Sequence, residues 1–186
     1  VSAISSYIDS TKVNGQSSFS DIVWVGVPGC TQDEWGEVKS TMQQSYYNYL
    51  PCFIPAQLYD EYYEGFSNSL LWPLFHYFPT YAEFNTTHFY TYLEVNKLFC
   101  EELRKSVSPG DTVWIHDYHL LPLAGMLREA VPGISIGFFL HIPFPDFEIF
   151  RFIPRQWQTA LLKGMLGADL IGFHTMDYAS HFLHCV

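Results

Sequence analysis

The chain has 186 residues, enough for one domain with a real core at about 100–200 residues per domain, and its 48% hydrophobic against 15% charged residues exclude an intrinsically disordered chain. Nine Lys plus Arg against 19 Asp plus Glu leave a formal charge of −10, with seven of the nine basic residues after Glu94, which argues against nucleic acid or an anionic membrane surface as partner. No run approaches the roughly 18–20 apolar residues of a membrane helix. Cys30, Cys52, Cys100 and Cys185 show no Cys-x-x-Cys spacing, so reduced thiols and a cytoplasmic location are expected. The opening Val1-Ser-Ala-Ile carries neither an initiator Met nor leader features and fits an internal fragment.

In chain order, the apolar run Asp21–Val27 predicts a short strand stopped by Pro28-Gly29, and residues 31–44 predict a helix. Cys52–Pro55 is a second candidate strand. A helical stretch then runs from about Ala56 into Trp72, where Pro73 should end or kink it. The longest helix is expected over Tyr81–Lys105, because Phe84, Phe89, Tyr92, Val95, Phe99 and Leu103 recur at helical spacing. A clearer alternation follows: strand Thr112–His116, helix Leu120–Ala130, strand Ile134–His141 ended by Pro143 and Pro145, helix Pro154–Leu166, strand Asp169–Phe173 and helix Asp177–Cys185. These strands are largely apolar on both faces, the pattern of a mostly parallel sheet covered by helices, so the predicted class is a doubly wound, Rossmann-like α/β fold.

Ligands of such sheets bind beyond the carboxyl ends of the strands. Three polar clusters fall there: His116-Asp117-Tyr118-His119, His141, and His174-Thr175. His116 and His119, like His181 and His184, are three residues apart, which raises a metal reading, but neither pair has a third ligand at a recognisable spacing and no metal is expected. Asp117 reads either as an acceptor for sugar hydroxyls or as a helix cap. His141, between an apolar strand and Ile142-Pro-Phe-Pro, must face a partner or an open cleft. Within the aromatic stretch Tyr62–Tyr77, Phe66, Leu70, Leu71 and Phe75 are credible core, while Tyr and Trp are suited to the C–H face and hydroxyls of a sugar. Arg151 and Arg155 face phosphate, Glu148 or solvent, and the sequon at Asn85 reads as chance. No Gly-x-Gly-x-x-Gly, phosphate loop, Gly-x-Ser-x-Gly or His-Glu-x-x-His is present, which removes support for nucleotide hydrolases, serine hydrolases and zinc peptidases.

Four long motifs are more specific than this physics: Tyr62-Tyr-Glu-Gly-Phe-Ser-Asn-Ser-Leu-Leu-Trp-Pro-Leu-Phe-His-Tyr77, Trp114-Ile-His-Asp-Tyr-His-Leu-Leu-Pro122, Gly137-Phe-Phe-Leu-His-Ile-Pro-Phe-Pro145 with Glu148-Ile-Phe150, and Gly167-Ala-Asp-Leu-Ile-Gly-Phe-His174. Together, and over nearly the whole chain, they resemble the trehalose-phosphate synthases of glycosyltransferase family 20. The resemblance implies a two-domain GT-B architecture, of which residues 1–186 are the acceptor-side N-terminal Rossmann-like domain, incomplete at its start, with the C-terminal nucleotide-sugar domain absent. It also implies retaining transfer of glucose from UDP-glucose to glucose 6-phosphate in the intact protein, without cofactor or metal, while this piece alone is expected to be inactive. Position by position, Tyr63 and Trp72 match acceptor-pocket residues, Asp117 the carboxylate on acceptor hydroxyls, and His141 the histidine against the transferred glucose. Asp117 and His141 are thus the implied catalytic pair. Homo-oligomerisation is left open.

Two positions depart from the family pattern. Val27 stands where a second Trp is common, and Asp146 where small or hydroxyl residues are usual; an acid there either repels a substrate phosphate or caps the next helix. They keep two alternatives in view: a synthase-like regulatory subunit that has lost turnover, and a module that only binds sugar.

Overall fold

The computed structural model describes residues 2–13, 21–42 and 47–186. The chain divides into two compact units, residues 1–53 and 54–186.

In the first unit, α1 spans Ser2–Val13, and β1 (Val23–Gly26) lies parallel to β2 (Asn48–Pro51). Between them α2 (Trp35–Met42) is preceded by a reciprocal cap. The Thr31 amide donates to Glu34 Oε2 at 2.8 Å and the Glu34 amide donates to Thr31 Oγ1 at 3.4 Å. The helix therefore begins four residues later than its polar run suggests, and positions 43–44 lie outside the described residues. The second strand is also displaced, to Asn48–Pro51 instead of Cys52–Pro55. The register explains this: β1 ends at Gly26, whose carbonyl takes the Cys52 amide at 2.8 Å, and the apolar Phe53 and Ile54 have no ladder partner beyond it. Val27 is exposed just past β1.

The second unit opens with one long helical run: α3 (Ala56–Asp60), a π-helical segment Glu61–Leu71, and α4 (Trp72–Phe75). The wider π register shows in the Trp72 amide donating to the Ser67 carbonyl and in Ser69 Oγ donating to the Glu64 carbonyl, both spaced by five. Pro73 does not end the run. It lacks the N–H that would bond the Ser69 carbonyl four residues back, and the Glu83 amide takes that carbonyl instead, at 2.8 Å. The long helix α5 spans Thr86–Arg104, starting five residues later than its apolar spacing suggests. Asn85 is its N-cap, accepting from the Thr87 and His88 amides, so Phe84 falls outside it and stays exposed.

The parallel sheet β3–β4–β5 follows, with β3 Thr112–His116, β4 Ser135–Phe139 and β5 Leu170–Gly172. A 3-10 turn at Tyr118–Leu120 leads into α6 (Leu123–Ala130), a short α7 (Phe147–Phe150) absent from the sequence reading follows β4, and α8 (Arg155–Met165) and α9 (Met176–Cys185) flank β5. The expected α/β class with parallel strands in open sheets is met. Ile115, Ile136 and Phe138 bury one sheet face, and Phe66, Phe89, Tyr92 and Trp157 form a buried aromatic cluster in which Phe89 and Trp157 stack at 4.6 Å. Each such side chain contributes about 1.5–3 kcal/mol by burial. Close approach of α8 to the segment before α6 depends on Gly164, where a Cβ would lie 2.4 Å from Pro122 Cα. Among the described residues no helix is long and apolar enough to cross a membrane.

Candidate functional site

The carboxyl ends of β3, β4 and β5 gather the three polar clusters that the sequence places there. Asp117 leaves β3 with φ 73° and ψ 171°, a conformation ordinarily reserved for glycine and costing about 1–3 kcal/mol in other residues. The neighbouring strand holds it there, since its amide donates to the Phe139 carbonyl at 2.9 Å. Its Oδ1 accepts the Tyr118 amide at 3.0 Å and the His141 amide at 3.4 Å. Capping is therefore one of its functions. Oδ2 has no donor among the described residues and remains an acceptor for a ligand hydroxyl.

The same geometry puts His141 at the end of β4 beside His116, with Nδ1 of His116 3.1 Å from Nε2 of His141, and the His174 ring 5.8 Å from His141 completes the row. Burial pushes the His116 imidazole down to about 4, with the His141 ring acting in the same direction and Asp117 opposing. Burial also lowers His141, again opposed by Asp117, and lowers His119. Near neutral pH His116 and His141 therefore meet as uncharged imidazoles, one donating and one accepting. Among the described residues no group of three His, Cys, Asp or Glu side chains is arranged to hold a metal.

Tyr63, on the π-helical segment, is sandwiched between Tyr59 at 5.3 Å and His119 at 4.8 Å, both rings within 10° of parallel to it. Its hydroxyl has no partner among the described residues. His119 sits two positions beyond Asp117, so the stack links Tyr63 to the Asp117 turn. A second link is Tyr118, whose hydroxyl donates to Asn68 Oδ1 at 3.0 Å. Trp72 is 43% exposed and stacks on His76 at 4.2 Å, and His76 Nδ1 donates to the Trp72 carbonyl at 2.7 Å. The structure thus brings Asp117 and His141 into contact, ties Tyr63 to them through His119, and leaves Trp72 on the same helical run without a ring or hydrogen-bond contact to the other three. Asp146 caps α7, its Oδ1 accepting the Ile149 amide at 3.0 Å, which is the capping outcome. Arg151 pairs with Glu148 at 3.2 Å, both exposed.

Two contributors escaped sequence reasoning. His119 appears in the motif only as one of a histidine pair, and nothing local signals that it is a platform under Tyr63. The imidazole pairing of His116 with His141 joins residues 25 apart in sequence and exists only because β3 and β4 are adjacent.

Comparison with known proteins matches residues 4–186 to the family model for glycosyltransferase family 20. Over 177 residues the chain is 46% identical to alpha,alpha-trehalose-phosphate synthase (UDP-forming) 1 of Aspergillus niger, covering 92% of this chain and 34% of that protein. A solved E. coli structure with UDP-2-fluoro glucose bound superposes with TM-score 0.74 at 33% identity, over 89% of this chain and 42% of that one. The N-terminal domain of a Candida albicans trehalose-6-phosphate phosphatase superposes with TM-score 0.76 at 34% identity, over 88% and 35%. The chain spans about a third of the length of the curated relatives it matches.

Proposed function

The chain belongs to glycosyltransferase family 20, and from this we propose that the intact protein transfers glucose from UDP-glucose to glucose 6-phosphate, giving trehalose 6-phosphate and UDP with retention at the donor carbon. In this reading the chain is most of the acceptor-side N-terminal domain of that enzyme, and a C-terminal domain supplies the groups that hold the donor diphosphate. The observation that carries the reading is the Asp117–His141 contact at the carboxyl ends of two adjacent parallel strands, with one carboxylate oxygen left for a hydroxyl.

In this reading Asp117 accepts a hydrogen bond from an acceptor hydroxyl through Oδ2 and orients it. The Tyr63 hydroxyl and the exposed Trp72 ring bind glucose 6-phosphate, and the neutral His141 ring lies against the transferred glucose. The acceptor oxygen attacks on the face the UDP leaves, and its proton passes to the departing phosphate. No side-chain nucleophile is needed, and catalysis consists of positioning and of stabilising developing charge. Proton NMR of the product from UDP-glucose and glucose 6-phosphate tests the assignment: an alpha,alpha linkage supports it, and any other linkage removes it.

A second reading is a synthase-like regulatory subunit without turnover; a similar fold forms the N-terminal domain of a Candida albicans trehalose-6-phosphate phosphatase. Val27 belongs to the same argument. A well-folded intact protein that binds glucose 6-phosphate but releases no UDP identifies that case.

A further inference from the structure

Among the described residues, two that are not glycine adopt left-handed backbone angles, Asp117 at φ 73° and Tyr77 at φ 65°. Such residues are uncommon and strained. Both strained residues direct a side-chain oxygen at the same short loop, the one between β4 and α7. Asp117 Oδ1 accepts the amide of His141, the loop's second residue, and the Tyr77 hydroxyl accepts the amide of Asp146, its last, at 3.0 Å. Pro143 and Pro145 leave only four amide donors between 141 and 146, and these two side chains take two of them.

Tyr77 follows α4 in the position where a helix ordinarily ends on glycine. The Phe78 amide bonds back to the Pro73 carbonyl at 2.8 Å and the Tyr77 amide to Leu74 at 3.1 Å, closing the helix end in the usual left-handed way. Glycine would serve that turn without strain. A tyrosine there costs backbone energy, and the hydroxyl contact it makes in return is to Asp146, 69 residues away. Burial raises the Tyr77 phenol, so the oxygen remains a neutral hydroxyl.

We propose that Tyr77 is a positioning residue: it fastens the far end of the His141–Asp146 loop while Asp117 fastens the near end, and so holds His141 in register with the helix that carries Trp72. This rests on the transferase reading above, in which Trp72 belongs to the acceptor and His141 to the donor sugar. Tyr77 touches neither substrate. Its hydroxyl matters for the step in which the two sugars must be aligned, and much less for binding either one.

The test uses the intact protein, with Tyr77→Phe removing only the hydroxyl and Tyr77→Gly removing the strain as well. For Tyr77→Phe, kcat should fall about tenfold, the scale of one lost aligned contact, with both KM values within about twofold of wild type. Amide exchange in the 141–150 segment should quicken while α5 is unaffected. Tyr77→Gly should show the same kcat loss with a melting temperature no lower than that of Tyr77→Phe. Unchanged kcat in Tyr77→Phe overturns the proposal, and so does unchanged exchange at 141–150 or a kcat loss that follows melting temperature across the two variants. Failure of the transferase reading is seen separately, as a wild-type protein without acceptor-dependent UDP release; the exchange measurement then still decides whether Tyr77 tethers the loop.

Discussion

Replacing Asp117 by Asn changes one atom that matters. The retained Oδ1 still accepts the Tyr118 and His141 amides at 3.0 and 3.4 Å, and Asn is among the residues that best tolerate positive φ, so the turn survives. What is lost is Oδ2 and the negative charge, replaced by an NH2 that cannot accept from a sugar hydroxyl. A hydrogen bond to a charged group is worth about 1.5–3 kcal/mol, or roughly a 10- to 150-fold loss in kcat/KM for glucose 6-phosphate. Asp117→Ala removes the Tyr118 cap as well. It should lose at least as much activity and about 0.5–2 kcal/mol of stability, as N-cap losses do. Continuous measurement of UDP release by the intact protein, with melting temperatures alongside, separates the two effects. If Asp117→Asn keeps kcat/KM within about twofold of wild type, a margin under 0.5 kcal/mol, Asp117 is a cap and nothing more.

Tyr63→Phe should raise KM for glucose 6-phosphate about three- to tenfold with kcat little changed, because one neutral hydrogen bond is lost and the Tyr59–His119 stack is retained; an unchanged KM makes Tyr63 a packing residue. His116 titrates near 4 when folded and near 6.5 when unfolded, so between those values the unfolded chain holds the extra proton. Stability therefore falls as pH drops from 6.5 to about 4, and His116→Gln should flatten that slope in urea melts taken across the window. An identical slope in both proteins contradicts the buried neutral imidazole. Gly164→Ala forces a Cβ against the Pro122 backbone, which cannot move aside as a side chain would, and should cost about 1–3 kcal/mol with a matching drop in melting temperature. An unshifted melting curve would mean that α8 does not approach that segment closely.

The sheet β3–β4–β5 and the helices α6, α8 and α9 were legible because hydrophobic runs there end within a few residues of the real boundaries, whereas the short α7 between β4 and α8 was not. They were less legible where a single polar side chain decides the boundary. Asn85 starts α5 five residues inside its apolar pattern by capping two amides, and Thr31 with Glu34 does the same for α2. The π-helical register over 61–71 has no periodic signature; it becomes visible only through spacings of five such as the Trp72 amide on the Ser67 carbonyl. Asp117 and His141 were readable as strand-end polar residues. Their contact, the His116 pairing and the His119 platform depend on which strands and helices lie side by side, and no local spacing encodes that.

The most direct test of the account is UDP release by the intact protein given UDP-glucose, with and without glucose 6-phosphate. Release that requires the acceptor is expected. A well-folded protein that releases no UDP under either condition, or releases it equally in both, contradicts it.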